Sequence, residues 1–420
     1  MEREFKDSGI EWIGKIPKEW KTCRFKNFMV LRTEPSTSEN KIGLENIESE
    51  SGHFIQTEGK FDGNGVQFHK GEIVYGKLRP YLRKVWLASF DGNAVGDFFV
   101  FRNKNNSNAN YLKWLLLSDG FAEAVNSSVY GAKMPRVSSD FILTLPYCIP
   151  PLLEQQRIAD YLDKKCEEID ELIALQEQMI AQLTDYKQSV ITEAVTKGLN
   201  PDAEFVPSSI DWIGDVPKGW NIVPLRYLGR TQNGISQSGD YFGEGFPFVS
   251  YSDVYKNYSL PSIFNGLAKS SKQDQKLFSV IEGDVFFTRT SETIDEIGFS
   301  SVCLKTVENA VFAGFLIRFR PYKNKIDKNF SKYYFRSNIH RAYFVKEMNL
   351  VTRASLSQEL LKSLPVLLPP LSEQHAIATY LDTKCSEIDS LIAIKQQKIE
   401  TLKDYKKSVI YEAVTGKMIV

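Results

Sequence analysis

Two short basic stretches in the first half of the chain have residue types suited to gripping a nucleic acid. "GKLRPYLRK" holds Lys77, Arg79, Tyr81, Arg83 and Lys84, and "YGAKMPRVSS" holds Lys133 and Arg136. Guanidinium and ammonium groups pair with phosphates or reach guanine edges. The corresponding places of the second half hold Arg289 with Thr288, Thr290 and Ser291 in "FFTRTSE", and Arg353 with Ser355 in "LVTRASLS". Their hydroxyls would add phosphate or base contacts. Any one of these residues also fits a solvated strand end or turn. The matched occurrence in both halves is what sets the clusters apart.

Bond-making chemistry has no comparable signature. The sequence holds no G-x-x-x-x-G-K-[ST] loop, no H-E-x-x-H helix and no G-x-S-x-G elbow. Its four histidines (His53, His69, His340, His375) stand apart from any nucleophile partner. The Gly-rich "QNGISQSGDYFGEGFPF" lacks the strand-to-helix setting of a dinucleotide loop. Five scattered cysteines form no C-x-x-C pair, so they read as small buried or half-buried thiols rather than metal ligands or disulfides. The expectation is recognition without catalysis and without a metal.

The formal net charge is zero, so distribution matters more than the sum. Residues 1–149 carry about +2, 150–200 about −5, 201–368 about +3 and 369–420 about 0. Basic surface therefore belongs to the two blocks that hold the clusters. No apolar run approaches the roughly 20 residues of a membrane helix, and "MEREFKDSGIEW" lacks a signal-peptide core. A cytoplasmic location with no membrane partner is expected.

The elements that must position the clusters are written twice. "PPLLEQQRIADYLDKKCEEIDELI" begins at Pro150 and "PPLSEQHAIATYLDTKCSEIDSLI" at Pro369, and the copies align without a gap to Thr196 and Thr415 with about two-thirds of positions identical. A shorter repeat opens each half, "SGIEWIGKIPKEW" at Ser8 and "SSIDWIGDVPKGW" at Ser208. The long repeats read as helices: Pro-Pro sets the start, and no further Pro or Gly appears until Gly198 and Gly416. A heptad column takes Leu162, Ile169, Gln176, Leu183 and Val190, with Leu172, Met179 and Tyr186 in the next and Ile173 and Ile180 widening the stripe. The second copy offers Leu381, Ile388, Lys395, Leu402 and Val409, then Leu391, Lys398 and Tyr405. About 45 helical residues extend on the order of 65–70 Å, too long to bury their stripe in one small domain. Each helix needs a helical partner, and its duplicate is the nearest; an antiparallel pair is expected.

The blocks before these helices alternate like strands, in "GEIVYGKLRPYLRKVWLASFDG" and "AVGDFFVFR". "YLKWLLLSDGFAEAV" predicts one amphipathic helix. Gly71 and Gly283 begin equivalent strands, so one ancestral fold underlies two diverged blocks. The fold class expected is α+β: two mixed α/β recognition domains separated by a two-helix antiparallel coiled coil, with internal pseudo-two-fold duplication. The expected boundaries are a first recognition domain over 1–149 and a first spacer helix over 150–197. A linker and second recognition domain follow over 198–368, then a second spacer helix and tail over 369–420. Like helices imply like partners, whereas unlike blocks imply different targets; ordinary drift after duplication is the plainer account.

The two P-P-L-x-E-Q-x-x-I-A-x-Y-L-D strings and the two "WIG-x-[IV]-P-K-x-W" openings resemble the specificity subunit of type I restriction–modification enzymes over essentially the full chain. That resemblance implies a non-catalytic chain whose two domains each read one half of a bipartite double-stranded DNA target. It implies docking of two methylation subunits on the helices, with Glu154, Gln155, Tyr161 and Asp163 as candidate contacts and Glu373, Gln374, Tyr380 and Asp382 as their duplicates. Helix caps and self-contacts are the other reading of these residues. Restriction subunits are implied as well. S-adenosylmethionine, ATP and Mg would belong to the partners, and no cofactor to this chain. An adaptor whose blocks bind proteins, or an orphan DNA-binding protein, would share the layout.

Overall fold

The computed structural model describes residues 3–36, 38–59, 61–104, 106–131, 133–291, 297–340, 343–344 and 354–420. The chain forms two compact units, Met1–Gln178 with Lys395–Val420, and Met179–Ile394. Each long helix contributes a segment to both.

The first unit is built on an antiparallel sheet in the order Met29–Arg32, Phe98–Asn103, Ile73–Gly76, Val85–Leu87. β-branched and aromatic residues (Ile73, Val74, Tyr75, Val100, Phe101) make these strands and are buried on both faces. Gly71 turns into the strand at φ +86°, a conformation that suits glycine, and donates to the Ala88 carbonyl at 2.7 Å. The stretch predicted as one helix is two, Ala109–Leu117 and Asp119–Asn126. Ser118 breaks it with extended backbone, and its hydroxyl donates back to the Leu115 carbonyl at 2.7 Å. A serine competes with the helical ladder in this way.

The second unit repeats the plan with Gly229–Asn233, Leu316–Pro321, Val285–Thr288 and Ser300–Val302, again antiparallel. Gly283 turns at φ +88° and donates to the Cys303 carbonyl at 2.8 Å. The buried carboxylate after each of these glycines is conserved in role but not in partner. Glu72 is gripped by Arg32 of the first strand at 2.7–3.1 Å. Asp284 is gripped by Arg320 of the second at 2.6–2.7 Å. One buried charge pair is thus made from different strands.

The long repeats are helices over Leu152–Lys197 and Leu371–Val414. Within the first unit they run antiparallel. Lys406 pairs with Asp170 at 2.7 Å, and the last carbonyl of the second helix, at Val414, accepts from Tyr111 at 3.2 Å beside the start of the first. Within the second unit Lys187 pairs with Asp389 at 2.7 Å in the same sense. The column through Leu162, Ile169 and Gln176, and through Leu381, Ile388 and Val409, is buried. The neighbouring column departs from expectation, because Leu172, Tyr186, Leu391 and Tyr405 face solvent. Its place is taken by Cys166, Ile173 and Lys187, and by Cys385, Ile399 and Lys406. Lysine can line a seam when its stem lies along apolar surface and its ammonium is paired, and Lys187 and Lys406 are both paired.

The short opening repeats explain themselves at the helix ends. Trp20 donates its indole N–H to Glu154 at 3.1 Å, and Trp220 to Glu373 at 2.9 Å. Each tryptophan thereby locks the first turn of a long helix, and each lies against the glycine that ends the other. A Cβ on Gly416 would meet Trp20 at 2.9 Å and Pro17 at 2.5 Å, and one on Gly198 would meet Glu373 at 2.7 Å. Both glycines are left-handed, at φ +71° and +74°. Gly416→Ala is expected to cost about 1–2 kcal/mol from backbone strain alone, with the clash in addition. A lowered melting temperature of the full chain, read by calorimetry, checks it.

Candidate nucleic-acid interface

In the first unit the two basic stretches form one surface. Arg79 N–H donates to the Pro135 carbonyl at 2.7 Å, Val137 N–H to the Lys77 carbonyl at 3.2 Å, and Leu78 bridges to Arg136. Pro80 follows Arg79 in a short turn, Pro80–Leu82, flanked by Arg79 and Arg83 in the left-handed region at φ +50° and +47°. Non-glycine residues held there store strain, which clusters at functional surfaces.

The side chains of this surface divide into two groups. Arg79, Tyr81 and Lys133 are exposed. Arg83 is turned inward, paired with Asp119 and donating to the Leu117 carbonyl at 3.4 Å. Lys84 donates to the carbonyls of Leu44, at 2.9 Å, and Ile47, and burial pulls its ammonium below the ordinary lysine value. These two cations hold the loop in shape through bonds within the unit.

Lys77 and Arg136 meet at Asp97. Arg136 reaches it through Nε at 3.0 Å and Nη2 at 2.8 Å, and Lys77 lies 3.8 Å away. Arg136's hydrogen bonds and charge hold the Asp97 carboxyl below its ordinary value, against partial desolvation. The pairing is therefore present above the ordinary carboxylate range and is lost only as pH falls through the lowered value. This bidentate grip fixes the guanidinium plane through Nε and Nη2.

The second unit has the same backbone frame with other side chains. Lys77 N–H donates to Asp97 O at 2.9 Å, and Arg289 N–H donates to Phe315 O at 2.9 Å. Leu356 N–H donates to Arg289 O at 2.7 Å where Val137 donates to Lys77 O, and Thr290 pairs with Ser355 where Leu78 pairs with Arg136. Of the two residues named for that cluster, Ser355 is the one equivalent to Arg136. Arg353 lies outside the described residues. Thr288 is fully buried in its strand, whereas Arg289 and Thr290 are half-buried and Ser355 is exposed. Ser291 lies in the short strand Thr290–Ser291. Neither sequence cluster contained Asp97 or Phe315; only the strand register brings them in.

The helix-start residues are bound within the chain. Gln155 accepts from Asn108 N–H at 2.8 Å and donates to the Pro150 carbonyl at 2.9 Å. Gln374 does the same with Asp327 N–H at 2.8 Å and the Pro369 carbonyl at 2.8 Å. Asp163 accepts from Trp114 at 2.8 Å and Lys113 at 3.1 Å, and Asp382 from Tyr333 at 2.7 Å and Lys332 at 2.5 Å. With Glu154 and Glu373 held by the tryptophans, these six act as staples. Of the eight candidates, only Tyr161, half-buried, and Tyr380, exposed, remain on the surface uncommitted to such bonds.

Among the described residues, no group of His, Cys, Asp or Glu is placed to hold a metal ion. Burial pushes the Cys166 and Cys303 thiols up to about 12, far from a reactive thiolate. No helix among the described residues is long and apolar enough to cross a membrane.

Comparison with known proteins agrees with this geometry. The family model for the type I restriction modification DNA specificity domain matches twice, over residues 17–185 and 217–404. The MjaVIII type I restriction enzyme specificity subunit of Methanocaldococcus jannaschii is 24% identical over 97% of this chain and 94% of its own. The StySPI specificity subunit of Salmonella potsdam is 22% identical over 96% and 90%. In fold, a chain from a solved type I R-M system superposes with a TM-score of 0.75 at 19% identity, covering 96% of this chain and 99% of that one. The HsdS subunit from Thermoanaerobacter tengcongensis gives 0.54 at 19% identity, over 96% and 98%. With both halves matched, this chain belongs to the family of type I restriction modification DNA specificity domains.

Proposed function

We propose that this chain is the non-catalytic sequence-reading subunit of a type I restriction–modification complex. Each recognition domain reads one half of a bipartite double-stranded DNA target, and the paired helices set the spacing. The observation that carries this reading is the duplicated backbone frame around Lys77 and Arg289, kept bond for bond while its side chains differ. One frame with two sets of side chains suits two different half-sites. Arg79, Tyr81, Lys133 and the fixed Arg136 are the contacts proposed for the first, and Arg289, Thr290, Ser291, Arg353 and Ser355 for the second.

Two methylation subunits would dock on the long helices, at a face shifted from the stapled helix starts. Leu172, Leu175 and Tyr405 are exposed in the first unit, and their duplicates Leu391, Ile394 and Tyr186 in the second. Exposed apolar side chains recurring at duplicate positions mark a contact surface for one kind of partner. Methyl transfer from S-adenosylmethionine to an adenine of each half-site, and ATP- and Mg-dependent cleavage, would belong to the partner subunits.

Methylome sequencing of strains with and without the protein identifies the target. Gel shift on that duplex and on a scrambled one, with the methylation subunit present, then tests the reading. Arg79→Ala and Lys133→Ala are each expected to weaken specific binding by about 1–3 kcal/mol. Binding that is absent or indifferent to sequence would favour a protein-binding adaptor instead.

A further inference from the structure

At the vertex where the first unit carries Asp97, the second carries Phe315, 64% exposed. The substitution fits the loss of the acid's partner. Asp97 is tolerable on a DNA-facing surface because Arg136 and Lys77 neutralise it, and Arg136 is replaced by Ser355. A carboxylate there would keep Arg289 in the place of Lys77 but lose the bidentate grip that Arg136 gives Asp97, leaving it less well neutralised against phosphates.

Phe315 is also firmly presented. Its carbonyl is held by Arg289 N–H, and the preceding Gly314 donates to the Ile235 carbonyl at 2.7 Å. The absence of a side chain on Gly314 lets the Ile235–Ser236 segment press against it; a Cβ there would stand 2.2 Å from Ser236 Oγ. Phe315 belongs to none of the apolar cores of its unit among the described residues. An anchored backbone therefore displays an uncovered apolar ring beside Arg289, Thr290 and Ser355.

Resting on the DNA-reading function above, we infer that Phe315 is a specificity-determining residue of the second half-site, contacting the C5-methyl group of a thymine in the major groove. That methyl is the apolar feature by which a base edge there is told apart. The test uses the full chain with its methylation subunit and the methylome-mapped duplex, replacing each thymine of the second half-site in turn with deoxyuridine. At one position wild type is expected to lose about fourfold in affinity, the value of one buried methyl. Phe315→Ala should bind thymine and uracil duplexes alike, and Phe315→Leu should keep the preference.

Three results would overturn the inference. They are a second half-site with no A·T pair, a thymine preference unchanged in Phe315→Ala, and equal weakening by that variant on every thymine and uracil duplex while wild type shows no preference. The last is what a wedge between base steps would give. If wild type fails to distinguish the target from a scrambled duplex, the DNA-reading function fails instead. An unchanged melting temperature of Phe315→Ala confirms that the fold is intact.

Discussion

Removing one heptad from each long helix, residues 175–181 together with 395–401, is expected to shorten the preferred spacer by about three base pairs. Both half-sites should stay the same. Seven residues of helix span about 10.5 Å, against 3.4 Å per base pair along each strand. Deleting whole heptads keeps the buried column through Leu162 and Ile169 in phase with its continuation at Leu183 and Val190, so the pairing can re-form. The staples at both helix starts and the recognition loops lie outside the deletion. Methylome sequencing of a strain carrying the shortened chain gives the answer directly. Unchanged spacing would mean that something other than the helices separates the half-sites.

The second large effect is on stability. Asp284→Ala is expected to destabilise the second unit by about 3 kcal/mol, the low end for breaking a buried ion pair, because the Arg320 side chain it would strand keeps 30% of its surface exposed. Asp284 has no exposed side-chain surface. Its loss would strand Arg320 and deprive Arg318 of the nearest compensating charge. Arg318 is nearly as buried, bonded only to neutral acceptors, Gln232 and the Ser279 carbonyl, and burial pulls its guanidinium down to about 10. Denaturant unfolding followed by circular dichroism should show the loss. Asp284→Asn, which keeps an acceptor, should lose less. A variant as stable as the wild type would show that water enters the site and solvates Arg320.

Much of the architecture was legible because the chain states it twice. The long helices, their antiparallel sense and the equivalence of Gly71 with Gly283 all follow from repeated residues. The second column of the seam was not legible. Leu172 and Tyr186 look more like seam residues than Cys166 and Lys187, until the Lys187–Asp389 pair explains how a lysine lies there. At the candidate interface the sequence does not show which side chains face outward. Arg79 and Arg83 look equivalent, and the inward partner at Asp119 separates the buried one from the exposed one. Asp97 and Phe315 stay hidden because they are brought in by backbone bonds from Lys77 and Arg289, 20 and 26 positions away. The helix-start residues recur in both halves, and at equivalent places they hold partners within their own unit, which the sequence does not reveal.

The Asp97 grip has a consequence for how the two specificities can change. In the first unit Asp97 holds Arg136 in a bidentate pair, with Lys77 3.8 Å away. On the proposed DNA-reading function, replacing Arg136 alone would leave Asp97 facing the phosphates with Lys77 as its remaining cation, so a new half-site preference there calls for Asp97 and Arg136 to change together. In the second unit no charge links Phe315 to Ser355, and each can be replaced alone. On the proposed reading, the first half-site is therefore the more constrained of the two, and the second can change one substitution at a time.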